Sequence, residues 1–115
     1  MRRIGPSLSK ILEHAGKLSQ VKKTDLHFGD LVIVNTHNSK YKIRVVGKDL
    51  YQVSGGWFES NGVSPLKTSI TGCTWGGSII KMDIVAACGL CMEFGNRVVT
   101  SAICNIVVIP FNSRN

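Results

Sequence analysis

Long apolar runs are missing from this 115-residue chain, and so is an apolar block near its N-terminus. A membrane-spanning helix needs ~18 uninterrupted apolar residues, and a secretory signal needs a shorter apolar block at the start. We therefore expect a cytoplasmic protein without a membrane partner. Charged residues are also scarce, at 18% against 43% hydrophobic residues, which fits one globular domain with a modest core.

Clusters of catalytic residue types are lacking as well. The seven carboxylates are scattered, mostly near expected turns or strand ends, and the three histidines have no common spacing. The phosphate-loop pattern G-x-x-x-x-G-K-[ST] is absent. Because no general acid, base or nucleophile pair can be named, we expect a protein that is not an enzyme and has no cofactor.

Two of the four cysteines, Cys88 and Cys91, have the C-x-x-C spacing of metal and redox sites. In a strand this spacing places the two sulfurs on opposite faces, and structural zinc needs four converging ligands. No second close pair of ligands exists in the sequence. We therefore expect no metal site, and reduced, buried cysteines that act as small hydrophobic residues.

Positive charge is concentrated at the N-terminus. The net charge is +7, and residues 1–23 hold six cations against Glu13 alone, a surplus of five. Such a surplus either attracts polyanions at long range or keeps a small protein soluble.

The same segment has apolar residues at helical spacing, which predicts one amphipathic helix over roughly residues 6–19. These apolar residues are Leu8, Ile11, Leu12, Ala15 and Leu18. We expect the helix to pack on a sheet, although the segment also resembles a transit peptide. The chain thus divides into a basic N-terminal segment, 1–23, and a single β domain, 24–115.

From Asp30 onward apolar residues alternate with polar ones, which is typical of strands, and His37-Asn38 is a hairpin turn signal. In that register the core face carries Val32, Val34, Tyr41 and Ile43, and the opposite face carries Leu31, Ile33, Lys40, Lys42 and Arg44. Leu31 and Ile33 would lie beside three cations. We expect the N-terminal helix or another subunit to cover them.

A second hairpin is predicted around Gly95-Asn96, a two-residue turn signal. This turn places Phe94 opposite Arg97 and Met92 opposite Val99. One face of the hairpin is then apolar, with Cys88, Leu90, Met92, Phe94, Val99 and Ile103. The other face carries mostly small residues that a second layer could approach.

Further short strands are predicted at 50–53, 66–70 and 106–109, with connections too short for βαβ units. The predicted fold class is therefore all-β. It is a small, antiparallel, strongly bent barrel or sandwich of six to seven short strands, with one N-terminal amphipathic helix.

Two Gly-Gly loops interrupt the strands. Backbone N–H groups of such turns can form a concave anion site, and a nearby hydroxyl and cation would add to it. In the second loop this candidate site consists of Gly76, Gly77, Ser78 and Lys81. Glycine also permits sharp bends in barrel strands, so both interpretations stay open.

Three segments resemble signatures of a family of small uncharacterised bacterial all-β proteins. They are T-H-N-S-K-Y (36–41), G-C-T-W-G-G-S (72–78) and V-T-S (99–101). The resemblance covers roughly residues 29–109, with Cys73 where the family pattern has Ser, and it implies one compact β domain without an assigned activity. The order of a helix followed by a small bent barrel is also similar to Sm-like proteins, although their RNA-binding motifs are not evident.

As a non-catalytic binding module, the chain would bind single-stranded RNA or DNA weakly and without strong sequence preference. Lys40, Lys42 and Arg44 would form a cationic stripe on one strand face. Trp57 and Trp75 would serve as stacking platforms for bases.

Two other function classes stay open. As an assembly protein, the chain would form a homo-oligomer through Leu31 and Ile33. As a small-molecule or anion binder, it would use the Gly-Gly loops. Binding of nucleic acid and self-association rank nearly level.

Overall fold

The structure is a computed structural model that describes residues 18–75 and 79–111. Within these ranges ten short strands dominate: β1 Gln20–Lys22, β2 Leu31–Thr36, β3 Lys40–Gly47, β4 Leu50–Gly55, β5 Leu66–Thr68, β6 Ile70–Thr74, β7 Ile80–Lys81, β8 Ile84–Ala87, β9 Cys91–Phe94 and β10 Ile103–Ile109. A 3-10 turn, Lys23–Asp25, follows β1, and a one-turn helix α1, Gly56–Ser60, follows β4. The all-β class is therefore confirmed.

The predicted amphipathic helix at 6–19 lies outside the described residues, except for its last two positions. Leu18 and Ser19 are not helical. The Leu18 side chain is half-buried and packs against the main core. The chain therefore contacts the β domain from the first described residue.

All strand pairs are antiparallel and form three sheets. The five-stranded sheet has the order β10-β2-β3-β4-β5, the three-stranded sheet β7-β6-β9, and the two-stranded sheet β1-β8. Of the predicted barrel or sandwich, the barrel is not confirmed, because the strands form three separate sheets and none of these closes on itself. Ten strands are described instead of six or seven. Five of them, β1, β5, β7, β8 and β9, have only two to four residues, which leaves little alternation from which to identify them.

The β2–β3 hairpin has the predicted register. Ile33 pairs with Lys42, and across the turn the Thr36 N–H donates to the Ser39 carbonyl at 2.8 Å. Alternation then buries the four predicted core residues of these strands, Val32, Val34, Tyr41 and Ile43. The opposite face of β3 is directed away from the core.

Two of the family-like signatures meet at this turn. The Ser39 N–H donates to the Thr36 hydroxyl at 3.0 Å, and that hydroxyl donates to the Ser39 carbonyl at 3.1 Å. The Asn38 N–H donates to the Ser101 hydroxyl at 3.1 Å, which joins the 36–41 segment to the 99–101 segment. These residues fix the turn, so their role is structural.

A cluster of three aromatic rings fills the core between the sheets. Phe58 and Phe94 are in T-shaped contact with centroids 5.0 Å apart, and Tyr41 lies 6.2 Å from Phe58 and 5.8 Å from Phe94. The Tyr41 hydroxyl also accepts a hydrogen bond from the Trp57 N–H at 3.2 Å. Tyr41 thereby holds the start of α1 against the start of β3.

The predicted turn at Gly95-Asn96 is present, but the predicted pairing after it is wrong. The Arg97 N–H donates to the Phe94 carbonyl at 2.8 Å, which closes the turn. Arg97 then has a positive φ of 72°, the conformation of a bulge residue that follows a hairpin turn. Because this residue is extra, Val99 pairs with Glu93 and not with Met92.

A one-residue shift exchanges the two faces of the returning chain. Val99, expected in the core, is 48% exposed, whereas its neighbour Val98 is half-buried and packs against the main core. Beyond Val99 the two arms stay hydrogen-bonded, as from the Thr100 N–H to the Met92 carbonyl at 2.9 Å, but the regular ladders lie elsewhere, since β10 pairs with β2 and β9 pairs with β6. Met92, Phe94 and Ile103 are nevertheless buried as expected.

Candidate nucleic-acid interface

The predicted cationic stripe, Lys40, Lys42 and Arg44, lies on the outer face of the five-stranded sheet. Strand alternation places all three side chains on the face of β3 opposite the core. On β4, Ser54 pairs with Lys42 and Gln52 pairs with Arg44. The stripe is therefore bordered by neutral polar side chains.

The five-stranded sheet carries positive charge without negative charge. Its strands contain four cations, the stripe and Lys67 of β5, and no Asp or Glu. Lys67 pairs with Gln52, which places it on the same outer face. In the part of the chain that the structure describes, ion pairs form at Lys23–Asp49 and His27–Asp30, so none of these four cations is in an ion pair with a carboxylate there.

A shallow cleft of about 240 Å³ runs along the stripe. Its lining residues come from three adjacent strands: Leu31, Lys42, Arg44, Gln52 and Ser54. The Arg44 Nη1 donates to the Gly29 carbonyl at 3.2 Å, which anchors the guanidinium near the start of β2 and leaves its other N–H donors for a ligand. The cleft thus offers donors and charge at one location.

An apolar patch borders the stripe on its other side. Leu31 and Ile33 of β2 are half-buried, as are their cross-strand partners Ile109 and Val107 of β10. The sequence placed Leu31 and Ile33 beside cations, and the structure shows the same arrangement. Their partners were missed because the β2–β10 pairing joins segments far apart in the chain, and because the continuous apolar run at 106–109 has no alternation that indicates an outward face.

Trp57 lies on α1, beside one end of the stripe. Its side chain is 40% exposed, and its ring packs edge-to-face on Phe58 with centroids 5.4 Å apart. A depression of about 390 Å³ joins Lys40 to Gly56 and Glu59 of the same helix. Trp57 is therefore anchored by the core and partly exposed, on the helix whose first residue, Gly56, lines the same depression as Lys40.

Trp75 belongs to a different surface. It follows β6 in the three-stranded sheet, is 66% exposed, and borders a cleft of about 360 Å³ that also includes Ile79 and Lys81. The two tryptophans are thus not brought together on the outer face of the five-stranded sheet. Of the candidate anion site, Gly76, Gly77 and Ser78 lie outside the described residues, and Lys81 is exposed on β7.

Sequence reasoning missed an exposed apolar group around β7. Ile79, Ile80 and Met82 all have large exposed side chains, with Met82 at 68%. They lie next to Trp75 in the chain and flank Lys81. The apolar residues themselves are visible in the run Ile79-Ile80-Lys81-Met82. A strand of two residues, however, has no alternation of apolar and polar residues that would indicate which side chains are exposed.

The cysteines are only partly as expected. Cys73 is buried, and burial raises the pKa of its thiol to about 11. Cys91 is half-buried, but Cys88 and Cys104 are exposed, so the expectation of four buried cysteines is wrong. Both exposed residues lie at irregular positions, where the strand pattern no longer dictates which side faces the core. Among the described residues no three His, Cys, Asp or Glu side chains converge on a possible metal site.

The buried carboxylate of Asp30 accepts hydrogen bonds from the backbone and thereby stabilises the fold. One of its oxygens accepts the His27 N–H at 2.9 Å, and the other accepts the Phe111 N–H at 2.9 Å. These bonds fix the loop before β2 and attach the end of β10 to it. Two backbone donors account for the burial of this carboxylate.

Comparison with protein-family models, with curated protein sequences and with solved structures gave no match. The resemblance to small bacterial all-β proteins and the Sm-like layout therefore stay expectations from the motifs. No helix within the described ranges is long and apolar enough to cross a membrane.

Proposed function

We propose that this chain is a non-catalytic, cytoplasmic binding module that binds single-stranded RNA or DNA on the outer face of its five-stranded sheet. The observation that carries the proposal is the charge of that sheet, which has four cations on one face and no carboxylate in any of its strands. Nucleic-acid affinity depends mainly on contacts between such cations and phosphates.

The spacing of the stripe suits an extended polyanion. Lys40, Lys42 and Arg44 are two residues apart, so successive side chains lie about 7 Å from each other along β3. Each cation then contacts a separate part of a phosphate backbone that runs along the strand. These contacts do not read bases, so we expect weak sequence preference.

Trp57 supplies the stacking element at the end of the stripe. An anchored, accessible ring accepts any base, because every base has a π-face. The edge-to-face contact with Phe58 holds the Trp57 ring before binding. Trp75, on the other sheet, is the matched control, because it is more exposed and lies outside the stripe.

The test is fluorescence anisotropy with a labelled single-stranded oligonucleotide at several salt concentrations. With three or four phosphate contacts, the log-log slope of affinity against salt should be about −2 to −3. Trp57→Ala should cost ~1–3 kcal/mol of binding free energy without a change in slope, and Trp75→Ala should cost little. Absence of binding at low salt would refute the proposal.

The second candidate function is self-assembly, and the apolar patch of four aliphatic side chains on β2 and β10 favours it. Strand faces of this kind are often covered by another copy of the chain. If the patch is an oligomer interface, Ile33→Lys should convert the protein to a monomer in light scattering. If the patch only borders a nucleic-acid site, the variant should keep the wild-type mass and bind nucleic acid more tightly, because it adds a cation.

A further inference from the structure

Cys88 and Cys104 lie opposite each other on the surface, where the chain before β9 meets β10. The Gly89 N–H donates to the Ile103 carbonyl at 2.9 Å, and the Ile103 N–H donates to the Leu90 carbonyl at 2.9 Å. The chain directions are antiparallel here, so the next opposed pair is Cys88 and Cys104. Opposed residues of antiparallel chains have Cα atoms about 4.5–5.5 Å apart, within the range that a disulfide requires.

Cys104 is the extra residue of a bulge in β10. Ile103 pairs with Thr36 and Asn105 pairs with Asn35, so Cys104 has no partner in the β2–β10 ladder. Its side chain is exposed, as is that of Cys88. The Cys88 Sγ lies 3.6 Å from the Cys104 carbonyl oxygen, which shows that the two residues are in contact.

We propose that Cys88 and Cys104 form an oxidation site, at which hydrogen peroxide converts the two thiols to an intramolecular disulfide. One thiolate sulfur attacks a peroxide oxygen, the O–O bond breaks, and a sulfenic acid and one water result after proton transfer. The second thiol attacks the sulfenic sulfur, the S–O bond breaks, and a second water leaves. Two electrons pass from the sulfurs to the peroxide, and the S–S bond is the product.

The surroundings of Cys88 determine how fast the site reacts. Partial burial, and to a smaller extent the nearby Cys104, raise the pKa of the Cys88 thiol. The Cys88 S–H has two backbone carbonyls as acceptors, that of Leu18 at 3.4 Å and that of Cys104 at 3.6 Å. Thiolate is the reactive form, so oxidation should be slow at neutral pH and faster in mild alkali.

The disulfide would change two contacts of the fold. It would tie the chain before β9 covalently to β10, across a loop that runs from residue 88 to residue 104. It would also remove the Cys88 S–H, which donates to the Leu18 carbonyl and so contacts the first described residue of the N-terminal segment. Oxidation therefore stabilises the β domain while loosening the attachment of that segment.

Peptide mapping tests the proposal on the full chain. The folded protein is treated with hydrogen peroxide in mild alkali, remaining thiols are alkylated, and trypsin digestion follows without reductant. We expect peptides 82–97 and 98–114 to be joined, with a mass two hydrogens below their sum, and the product to migrate as a monomer. The linked species should persist in Cys91→Ser and disappear in Cys88→Ser and Cys104→Ser.

Fragmentation of the linked wild-type peptide locates the bond directly, even if a variant fails to fold. Oxidised protein should also melt about 5 °C or more above the reduced form, and a thiol reductant should reverse the shift. Consumption of the thiols without linkage of these peptides would overturn the proposal. A bond through Cys91 or Cys73, or a bond only between two chains, would overturn it equally.

Discussion

Gly55 and Gly89 have the same backbone angle but different surroundings. Both have a φ of 89°, and a positive φ of this kind costs a residue with a Cβ ~1–3 kcal/mol. A Cβ added at Gly55 would collide with the Lys40 carbonyl oxygen, whereas at Gly89 it would meet no atom within 4 Å. The close approach at Gly55 lets β4 stay paired with β3 up to the start of α1.

This pair gives a matched prediction about stability. Gly89→Ala should lower the free energy of unfolding by ~1–3 kcal/mol, because only the backbone conformation is strained. Gly55→Ala adds a clash with rigid backbone, which costs a further ~1–3 kcal/mol. Urea denaturation of both variants measures the difference, and equal losses would show that β3 and β4 do not approach as closely as described.

At the scale of elements, the bulge at Arg97 decides which valine enters the core. Without it, the Gly95-Asn96 turn would place Val99 opposite Met92 and inside. With it, Val98 packs against the core and Val99 faces solvent. One residue in a left-handed conformation thus determines which side chains of the segment before β10 face the core and which face solvent.

Two truncations test this reversal. Val98→Ala should destabilise the protein by about 1–2 kcal/mol, because it removes methyl groups packed on the core. Val99→Ala should change stability by less than about 0.5 kcal/mol, as is usual for exposed positions. If denaturation curves show that Val99→Ala is the more destabilising change, the turn has no bulge at Arg97 and Val99 faces Met92 as the sequence predicted.

The two hairpins also show how much of the fold local sequence determines. The β2–β3 hairpin was predicted in full, because a turn signal joins two clearly alternating runs and no residue is extra. The Gly95-Asn96 turn was predicted as well, but its bulge was not, because a positive φ at an arginine has no sequence signature. The pairing of β9 with β6 and of β10 with β2 depends on contacts distant in the chain, which alternation alone cannot assign.

In the candidate site, too, local features were predicted from the sequence and long-range features were not. The stripe and its apolar neighbours were predicted, since all lie within one local hairpin. The separation of Trp57 and Trp75 was not, because their loops belong to different sheets. Lys67, Val107 and Ile109 also lie on this surface. The order of strands in the sheet places them there, and the sequence did not indicate that order.

Over the whole protein, we expect nucleic-acid binding to depend on where the cations lie and not on net charge alone. The net charge of +7 would by itself attract any polyanion. On the outer face of the five-stranded sheet, three cations form a row on β3 and Lys67 lies on β5, and no strand of this sheet contains a carboxylate.

The most direct measurement is a salt-dependent titration of Lys42→Glu against Lys48→Glu with one single-stranded oligonucleotide. Both variants have the same net charge, but Lys42 lies in the stripe and Lys48 is exposed in the turn after β3. We predict that Lys42→Glu weakens binding strongly and reduces the magnitude of the log-log salt slope by about 0.7, because one phosphate contact is lost. Lys48→Glu should leave the slope unchanged. Equal losses of affinity and slope in the two variants would contradict the claim, because binding would then follow net charge.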